Sequence, residues 1–175
     1  MSIPPHLLVA WIGLSGAAPT DLASGKIPNW LTGSMMAAGI GTHVIVGASP
    51  WAGVLGLLAA FALHFTLWVL QVNKAGDAKL MMGVGACLGV YGMLETSAWW
   101  AILNLPVGLA ILALRGRLGN FVAVLRQKIG PSLGWAPPQL AEGEEAPVLT
   151  MSIAGPLIAV SGILAMHTDW LEQLV

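Results

Sequence analysis

The sequence predicts an all-α, polytopic membrane protein with about six transmembrane helices in one bundle, formed by a single integral-membrane domain over residues 1–175. Of its 175 residues, 57% are hydrophobic and only 9% are charged, and the mean hydropathy is +0.81. Soluble domains carry about 25% charged residues, because a surface in contact with water has to be covered. Most of this surface therefore faces lipid, and the length suits about six spans of roughly 20 residues each.

Short polar or turn-forming breaks separate the apolar segments. Ser24 to Asn29 predicts a loop, because it combines turn formers with a proline that suits the start of a helix. Glu95-Thr96-Ser97 predicts the break between the fourth and fifth spans, and Gly155-Pro156 predicts a kink inside the sixth. The expected spans are about His6–Thr20, Trp30–Val46, Trp51–Leu70, Asp77–Met93, Ala98–Leu114 and Leu149–Met166.

The stretch at about 115–148 is the only long hydrophilic part of the chain. Apolar residues recur on one helical stripe from Leu118 to Ile129, with Arg126 and Lys128 beside them. This pattern predicts an amphipathic helix that lies in the membrane interface and extends its basic side chains to the headgroups. Glu142-Gly143-Glu144-Glu145 predicts an acidic cytoplasmic loop that follows it.

The basic residues predict the orientation in the membrane, since cytoplasmic connections carry an excess of Lys and Arg. All seven lie at the first, third and fifth connections or just inside them, and the other connections and the C-terminal tail have none. We therefore expect these connections in the cytoplasm and both termini outside. The seven are Lys26, Lys74, Lys79, Arg115, Arg117, Arg126 and Lys128. The net charge of −1 gives no indication of a nucleic-acid partner, and none is expected.

Two aspartates, Asp21 and Asp77, interrupt these apolar surroundings. A charged side chain at the centre of a membrane helix costs about 2.5–3.5 kcal/mol on insertion scales, so a carboxylate in such a segment is a functional candidate by default. Two spans separate Asp21 from Asp77, and this even number returns both to the same membrane face. Two carboxylates that meet share one proton, so that one accepts a proton from water while the other polarises a scissile carbonyl. This is the chemistry of aspartic proteolysis.

The residues around the two aspartates resemble the motifs of a known family. Asp21 is followed by Lys26-Ile27-Pro28-Asn29, and Ala75-Gly76-Asp77-Ala78-Lys79-Leu80 comes two spans later. The chain thus resembles the prepilin peptidases, the membrane aspartic proteases of the GxGD type. Within them it resembles the small protease-only form associated with tight-adherence (Flp-type) pili, or an archaeal preflagellin-type relative. Lys74 departs from the pattern, because the family usually has the first glycine of Gly-x-Gly-Asp there.

The resemblance implies the function and its partners. Asp21 and Asp77 would be catalytic, and Lys26, Pro28, Asn29, Lys74, Gly76 and Lys79 would support the motif or the substrate. The expected substrate is a prepilin-like protein with a basic leader and a hydrophobic helix, cut on the cytoplasmic side of the inner membrane after a glycine. The larger relatives carry an N-terminal extension with paired cysteines and methylate the new N-terminus, and we expect no methyltransferase activity here.

Other polar residues receive simpler interpretations. Lys79 is expected to extend to the interface, and His64 to be a hydrogen-bonded interior histidine and not a base. Cys87 is expected to serve packing, and no metal or organic cofactor is predicted, because the sequence offers no cluster of ligands. The tryptophans near span ends predict an interfacial belt; they include Trp30, Trp51, Trp99, Trp100 and Trp170.

Two other classes of function stay open at this point. Intramembrane carboxylates also serve proton or cation transport, and helices broken by glycine or proline suit a transporter. A non-catalytic assembly protein of a pilus or secretion machine is the third possibility. A transporter is expected to carry its carboxylates near the membrane midplane, and a binding protein has no need of two acids.

Overall fold

The structure, a computed structural model, describes residues 4–69, 73–114 and 154–168. The described residues form helices and no strands, which confirms the all-α class. The helices are α1 (Pro5–Ser24), α2 (Asn29–Ile45), α3 (Pro50–Val69), α4 (Ala75–Leu114) and α5 (Ala154–Thr168). Three helical stretches among them, Pro5–Ser24, Pro50–Val69 and Ala75–Val107, are long and apolar enough to cross a bilayer. The membrane character is thus supported, and the count of six spans is not confirmed.

The chain forms two compact units. The first comprises Met1–Asn104 and Thr150–Val175, and the second comprises Leu105–Leu149. In the second unit only residues 105–114, the end of α4, are described. The amphipathic segment and the acidic loop expected at about 115–148 lie outside the described residues and stay predictions, as does the organisation of 1–175 as one domain.

The core of the first unit is built around α1, which packs against both α2 and α5. Leu14 of α1, Leu80 and Met81 of α4 and Ile158 of α5 are all fully buried in it. Cys87 belongs to the same cluster and is also fully buried, which confirms its expected role in packing.

Helix α1 continues past its predicted end at Thr20. It ends at Ser24, where Gly25 takes the left-handed conformation with φ 63° and its N–H donates to the carbonyl of Asp21. Glycine adopts this conformation without the penalty that a Cβ atom imposes, which is why it ends helices so often. Asp21 therefore lies in the last turn of the helix and not in the loop that follows it.

Helices α3 and α4 meet through glycines. A Cβ atom added to Gly56 of α3 would collide with the Gly85 carbonyl and with the backbone of Gly89 on α4, and one added to Gly85 would collide with the Gly56 carbonyl. In lipid, helices associate by close packing, and small residues at the interface make this possible. The rest of α3 exposes large apolar side chains, as a lipid-facing helix should; they are Trp51, Leu55, Leu58, Phe61, Leu63, Phe65, Trp68 and Val69.

The predicted break at Glu95-Thr96-Ser97 is wrong. These residues are helical, and Glu95 and Thr96 are buried. The hydroxyls of Thr96 and Ser97 donate to carbonyls four residues earlier, a bond that allows such residues inside a helix. The irregularity in α4 lies at Gly89, whose φ of 73° and ψ of −169° are not helical. The predicted fourth and fifth spans are thus two helices joined at Gly89, and the break lies six residues before the predicted Glu95.

The close contact between Gly56 and Gly85 predicts that a glycine-to-alanine substitution has different effects at Gly56 and at Gly41. We expect Gly56→Ala to lower the stability of the folded protein in detergent by about 1–3 kcal/mol, because the added methyl overpacks the α3–α4 contact. Gly41→Ala is the matched control, since Gly41 lies inside α2 with no atom near its missing Cβ. It should gain up to about 1 kcal/mol from helix propensity. Thermal unfolding followed by circular dichroism measures both, and equal midpoints would contradict the described contact.

Candidate functional site

Asp21 is held in the interior by a helix that is far away in sequence. Its side chain is 3% exposed, and its Oδ2 accepts a hydrogen bond of 2.9 Å from the backbone N–H of Gly155. The N-terminal amides of a helix bind anions well, because their N–H groups lack partners within the helix and the helix dipole is positive there. Gly155 also provides the space, since a Cβ atom there would lie 2.7 Å from Asp21 Cβ.

The predicted kink at Gly155-Pro156 stays a prediction. The description of α5 begins at Ala154, and the residues just before it lie outside the described part of the chain.

Asp77 lies in the first turn of its helix, whereas Asp21 lies in the last turn of α1. Asp77 is the third residue of α4 and is 3% exposed. Its Oδ2 accepts a hydrogen bond of 3.1 Å from the backbone N–H of Lys74, the residue before the helix. This is the arrangement of a capping box, in which an acceptor at the third helical position bonds back to the capping residue.

The structure brings the two aspartates into one electrostatic neighbourhood. The charge of Asp21 acts on Asp77, and so does the charge of Lys74. Both carboxyl groups are buried in the first unit, and each has one oxygen held by a backbone N–H near the start of a helix. Two acidic groups in such an arrangement can share a proton and act as a unit.

The residues that flank the aspartates also meet. A Cβ atom on Gly76 would lie 3.8 Å from Ile27 Cβ, and Lys79 Nζ donates a hydrogen bond of 3.0 Å to Asn29 Oδ1. The Lys79 side chain is exposed, as expected for a residue that extends to the interface, and it also links α4 to the start of α2. The Lys26-Ile27-Pro28-Asn29 loop and the start of α4 are therefore neighbours.

The remaining motif residues serve the backbone of the loops. Pro28 precedes α2, and its carbonyl accepts the N–H groups of Leu31 and Thr32. The side chain of Lys26 is exposed, and its carbonyl accepts a hydrogen bond from Ser24 Oγ. Lys74 contributes its backbone N–H to Asp77, so the departure from glycine at this position leaves that bond intact.

Sequence reasoning missed the surroundings of His64. This histidine is fully buried and hydrogen-bonded, as predicted, but its partners were not identified: Asn73 Nδ2 lies 2.9 Å from Nδ1, and Ser97 Oγ lies 3.0 Å from Nε2. Trp100 is 6% exposed and its ring contacts His64 edge-on, so its assignment to an interfacial belt is wrong. One indication of this contact was present in the sequence: His64 lies inside an apolar segment, nine residues before Asn73, which precedes the Asp77 motif.

One apolar groove near the motif has neither aspartate among its lining residues. It has a volume of about 510 Å³. The side chains of α4 that line it, Ala75, Ala78, Lys79 and Met82, lie on one helical face, and Asp77 lies on the opposite face with the buried Leu80 and Met81. Its other walls include the lipid-facing aromatic residues Phe61, Phe65 and Trp68. Among the described residues, no three His, Cys, Asp or Glu side chains form a group that could hold a metal ion.

The model of the type IV leader peptidase family matches residues 7–109 of this chain. The match covers more than half of the sequence and includes both aspartates and all of the motif residues. No curated protein and no solved structure matched the chain.

The contact between the two motifs predicts a disulfide. In a chain with Cys87→Ala, the pair Ile27→Cys and Gly76→Cys should form an intramolecular bond on mild oxidation, because the Cβ separation of 3.8 Å is close to the mean for disulfides. The pair Gly41→Cys and Gly76→Cys, with Gly41 in the last turns of α2, is the control and should stay reduced. Thiol alkylation followed by mass measurement reports both, and free thiols in the first pair would contradict the described contact.

Proposed function

The chain belongs to the type IV leader peptidase family, and from that membership we propose that it is an intramembrane aspartic endopeptidase. It removes the leader peptide of prepilin-like precursors at the cytoplasmic face of the membrane. The family makes it a protease of the prepilin peptidase type. The aspartic mechanism, the catalytic residues, the side of the membrane and the substrate are our proposals.

One observation carries the aspartic mechanism. Asp21 and Asp77 are both buried, each is fixed by a backbone N–H, and the charge of one acts on the other. A buried pair of carboxyl groups retains one proton between them, because two like charges cannot approach closely in a medium of low dielectric. The pair then supplies a base and an acid at once.

The hydrolysis follows from these two groups and one water molecule. The ionised carboxylate removes a proton from water as the water oxygen attacks the scissile carbonyl carbon. At the same time the protonated carboxyl group donates its proton to the carbonyl oxygen. When the tetrahedral intermediate collapses, one of its hydroxyls returns a proton to the ionised carboxylate, the C–N bond breaks, and the leaving nitrogen accepts the proton held by the other carboxyl group. Asp21 and Asp77 thus share the roles of general base and general acid, and no metal or organic cofactor takes part in the proposed steps.

Gly76 is proposed to leave room for the substrate backbone beside Asp77. A Cβ atom at Gly76 would make only ordinary contacts with Ile27, at 3.8–3.9 Å, so packing among the described residues does not demand glycine there. Lys26, Pro28, Asn29, Lys74 and Lys79 are proposed to support the motif: Pro28 starts α2, and Asn29 and Lys79 tie the two motifs together.

The positions of the carboxylates favour hydrolysis over transport. Asp77 lies in the first turn of α4 and Asp21 in the last turn of α1. Substrate and ion sites of transporters lie near the bilayer midplane, typically where helices are interrupted. Carboxylates at helix ends instead suit a peptidase that cuts a leader at the membrane boundary.

The charge pattern indicates the side of the membrane on which the substrate is cut. Lys26, Lys74 and Lys79 lie on or beside the two motif loops, and basic connections face the cytoplasm. We therefore propose an inner-membrane protein with both termini outside and the site on the cytoplasmic side, where a precursor exposes its basic leader. We also propose proteolysis without methylation, from the resemblance to the small form associated with Flp-type pili.

Removal of either carboxyl group is expected to abolish cleavage. Asp21→Asn and Asp77→Asn should each lower the rate at least 100-fold, the lower range for a general acid or base, because an amide cannot exchange the shared proton. The measurement is the size shift of a co-expressed prepilin precursor. Asp169→Asn, at the third aspartate of the chain, is the control and should retain wild-type cleavage. Substantial cleavage by either motif variant, with the protein inserted in the membrane, would refute the assignment.

Thiol labelling in intact cells tests the proposed orientation. In a chain with Cys87→Ala, single cysteines at Lys26, Lys74 and Glu144 should be shielded from an impermeant reagent, and a cysteine at Ser49, which precedes α3, should be labelled. Permeabilised cells serve as the control, because all four positions should then react. Labelling at Lys74 from outside would place the motif loop on the wrong side for a cytoplasmic leader.

A further inference from the structure

A chain of hydrogen bonds joins α3, the loop before α4 and the middle of α4. Asn73 Nδ2 lies 2.9 Å from His64 Nδ1, His64 Nε2 lies 3.0 Å from Ser97 Oγ, and Ser97 Oγ donates to the Met93 carbonyl at 2.8 Å. His64 is fully buried, and Asn73 is 3% exposed. The chain is therefore part of the interior and not a surface contact.

With the Asn73 amide nitrogen facing His64, the donors and acceptors in this chain have one consistent direction. The Ser97 hydroxyl has a single proton, which it gives to the Met93 carbonyl, so its oxygen accepts from His64 Nε2–H. His64 Nδ1 then carries no proton and accepts from the Asn73 amide. The imidazole thus bridges a donor and an acceptor, which requires the neutral ring with its proton on Nε2.

The effect of this chain is to hold the loop that leads to Asp77. The Asn73 side chain is bound to His64, and its backbone N–H donates to the Leu67 carbonyl at the end of α3 at 3.4 Å. The next residue, Lys74, gives its N–H to Asp77 Oδ2. A displacement of Asn73 would therefore move the one described backbone donor that fixes Asp77.

The glycine contact between α3 and α4 places His64 where its ring can hold the loop at Asn73. Gly53, Gly56, Ala60 and His64 are the buried residues of α3, and they follow one another on one helical stripe. The small residues bring the backbones together, and the His64 imidazole lies on the same stripe beside Trp100. Two facing helices thus form the support for one loop.

We propose that His64 is a positioning residue for catalysis: through Asn73 it holds the Lys74 amide that orients Asp77, and Ser97 holds its ring in place. This inference rests on the proposed role of Asp77. His64 itself is not proposed to touch the substrate or to transfer a proton.

The test compares His64→Leu with His64→Gln in the full-length protein, using a purified prepilin precursor that the wild type cleaves. Leucine keeps much of the side-chain volume and removes both hydrogen bonds, whereas glutamine retains an acceptor for Asn73 and a donor for Ser97. We expect His64→Leu to lower kcat about tenfold with KM unchanged, since the loss of two neutral hydrogen bonds corresponds to about that factor. His64→Gln should restore most of kcat.

A second measurement does not depend on proteolysis. Hydrogen exchange of the backbone amides at residues 73–77 should be faster in His64→Leu than in the wild type and close to wild type in His64→Gln. The matched control is His43→Leu, which removes another interior histidine, bonded to the Cys87 carbonyl. It should change neither kcat nor the exchange at 73–77.

The outcomes separate this inference from the proposed function. Unchanged exchange at 73–77, a wild-type kcat in His64→Leu, an equal loss in His43→Leu, or no rescue by glutamine would each overturn the positioning role while Asp77→Asn stays inactive. If Asp77→Asn retains cleavage, the proposed function itself fails, and the positioning role fails with it.

Discussion

The burial of two carboxyl groups in an apolar helix bundle is the constraint on which the rest of the structure depends. A buried charge costs several kcal/mol unless hydrogen bonds and suitable dipoles compensate for it. Here the compensation comes from backbone N–H groups near the starts of helices, from Gly155 for Asp21 and from Lys74 for Asp77. Backbone donors cannot change rotamer and carry no net charge. They therefore fix the carboxyl groups without adding a positive charge that would favour loss of the shared proton.

Glycine residues make these backbone contacts possible. Gly155 lets α5 approach Asp21 so closely that a methyl group would not fit, and Gly56 and Gly85 let α3 and α4 touch through their backbones. The second contact lies on the same stripe as His64, which in turn holds the Asn73 loop. The packing of lipid-embedded helices and the geometry of the candidate site therefore depend on the same small residues, and a change at one is expected to affect both.

The proximity of Asp21 and Asp77 could be predicted from the sequence, since charge placement and span parity predict one membrane face for both without any knowledge of contacts. The Gly155 amide could not be predicted, because a backbone donor 134 residues from its acceptor leaves no pattern in side-chain chemistry. The break at Gly89 was missed for a related reason: a positive φ is a property of the folded backbone, and Gly89 is one of 22 glycines. Glu95-Thr96-Ser97 misled, because hydroxyls that bond to their own helix look like a polar break.

The central claim is that Asp21 and Asp77 together act on one peptide bond. An experimental structure of the Asp77→Asn variant with an uncleaved prepilin leader and its helix bound would test it most directly. The account predicts that the scissile carbonyl lies between the side chains at positions 21 and 77, within hydrogen-bonding distance of both, and that Gly155 still donates to Asp21. A substrate seated instead in the groove lined by Phe61 and Trp68, on the opposite face of α4, would contradict it.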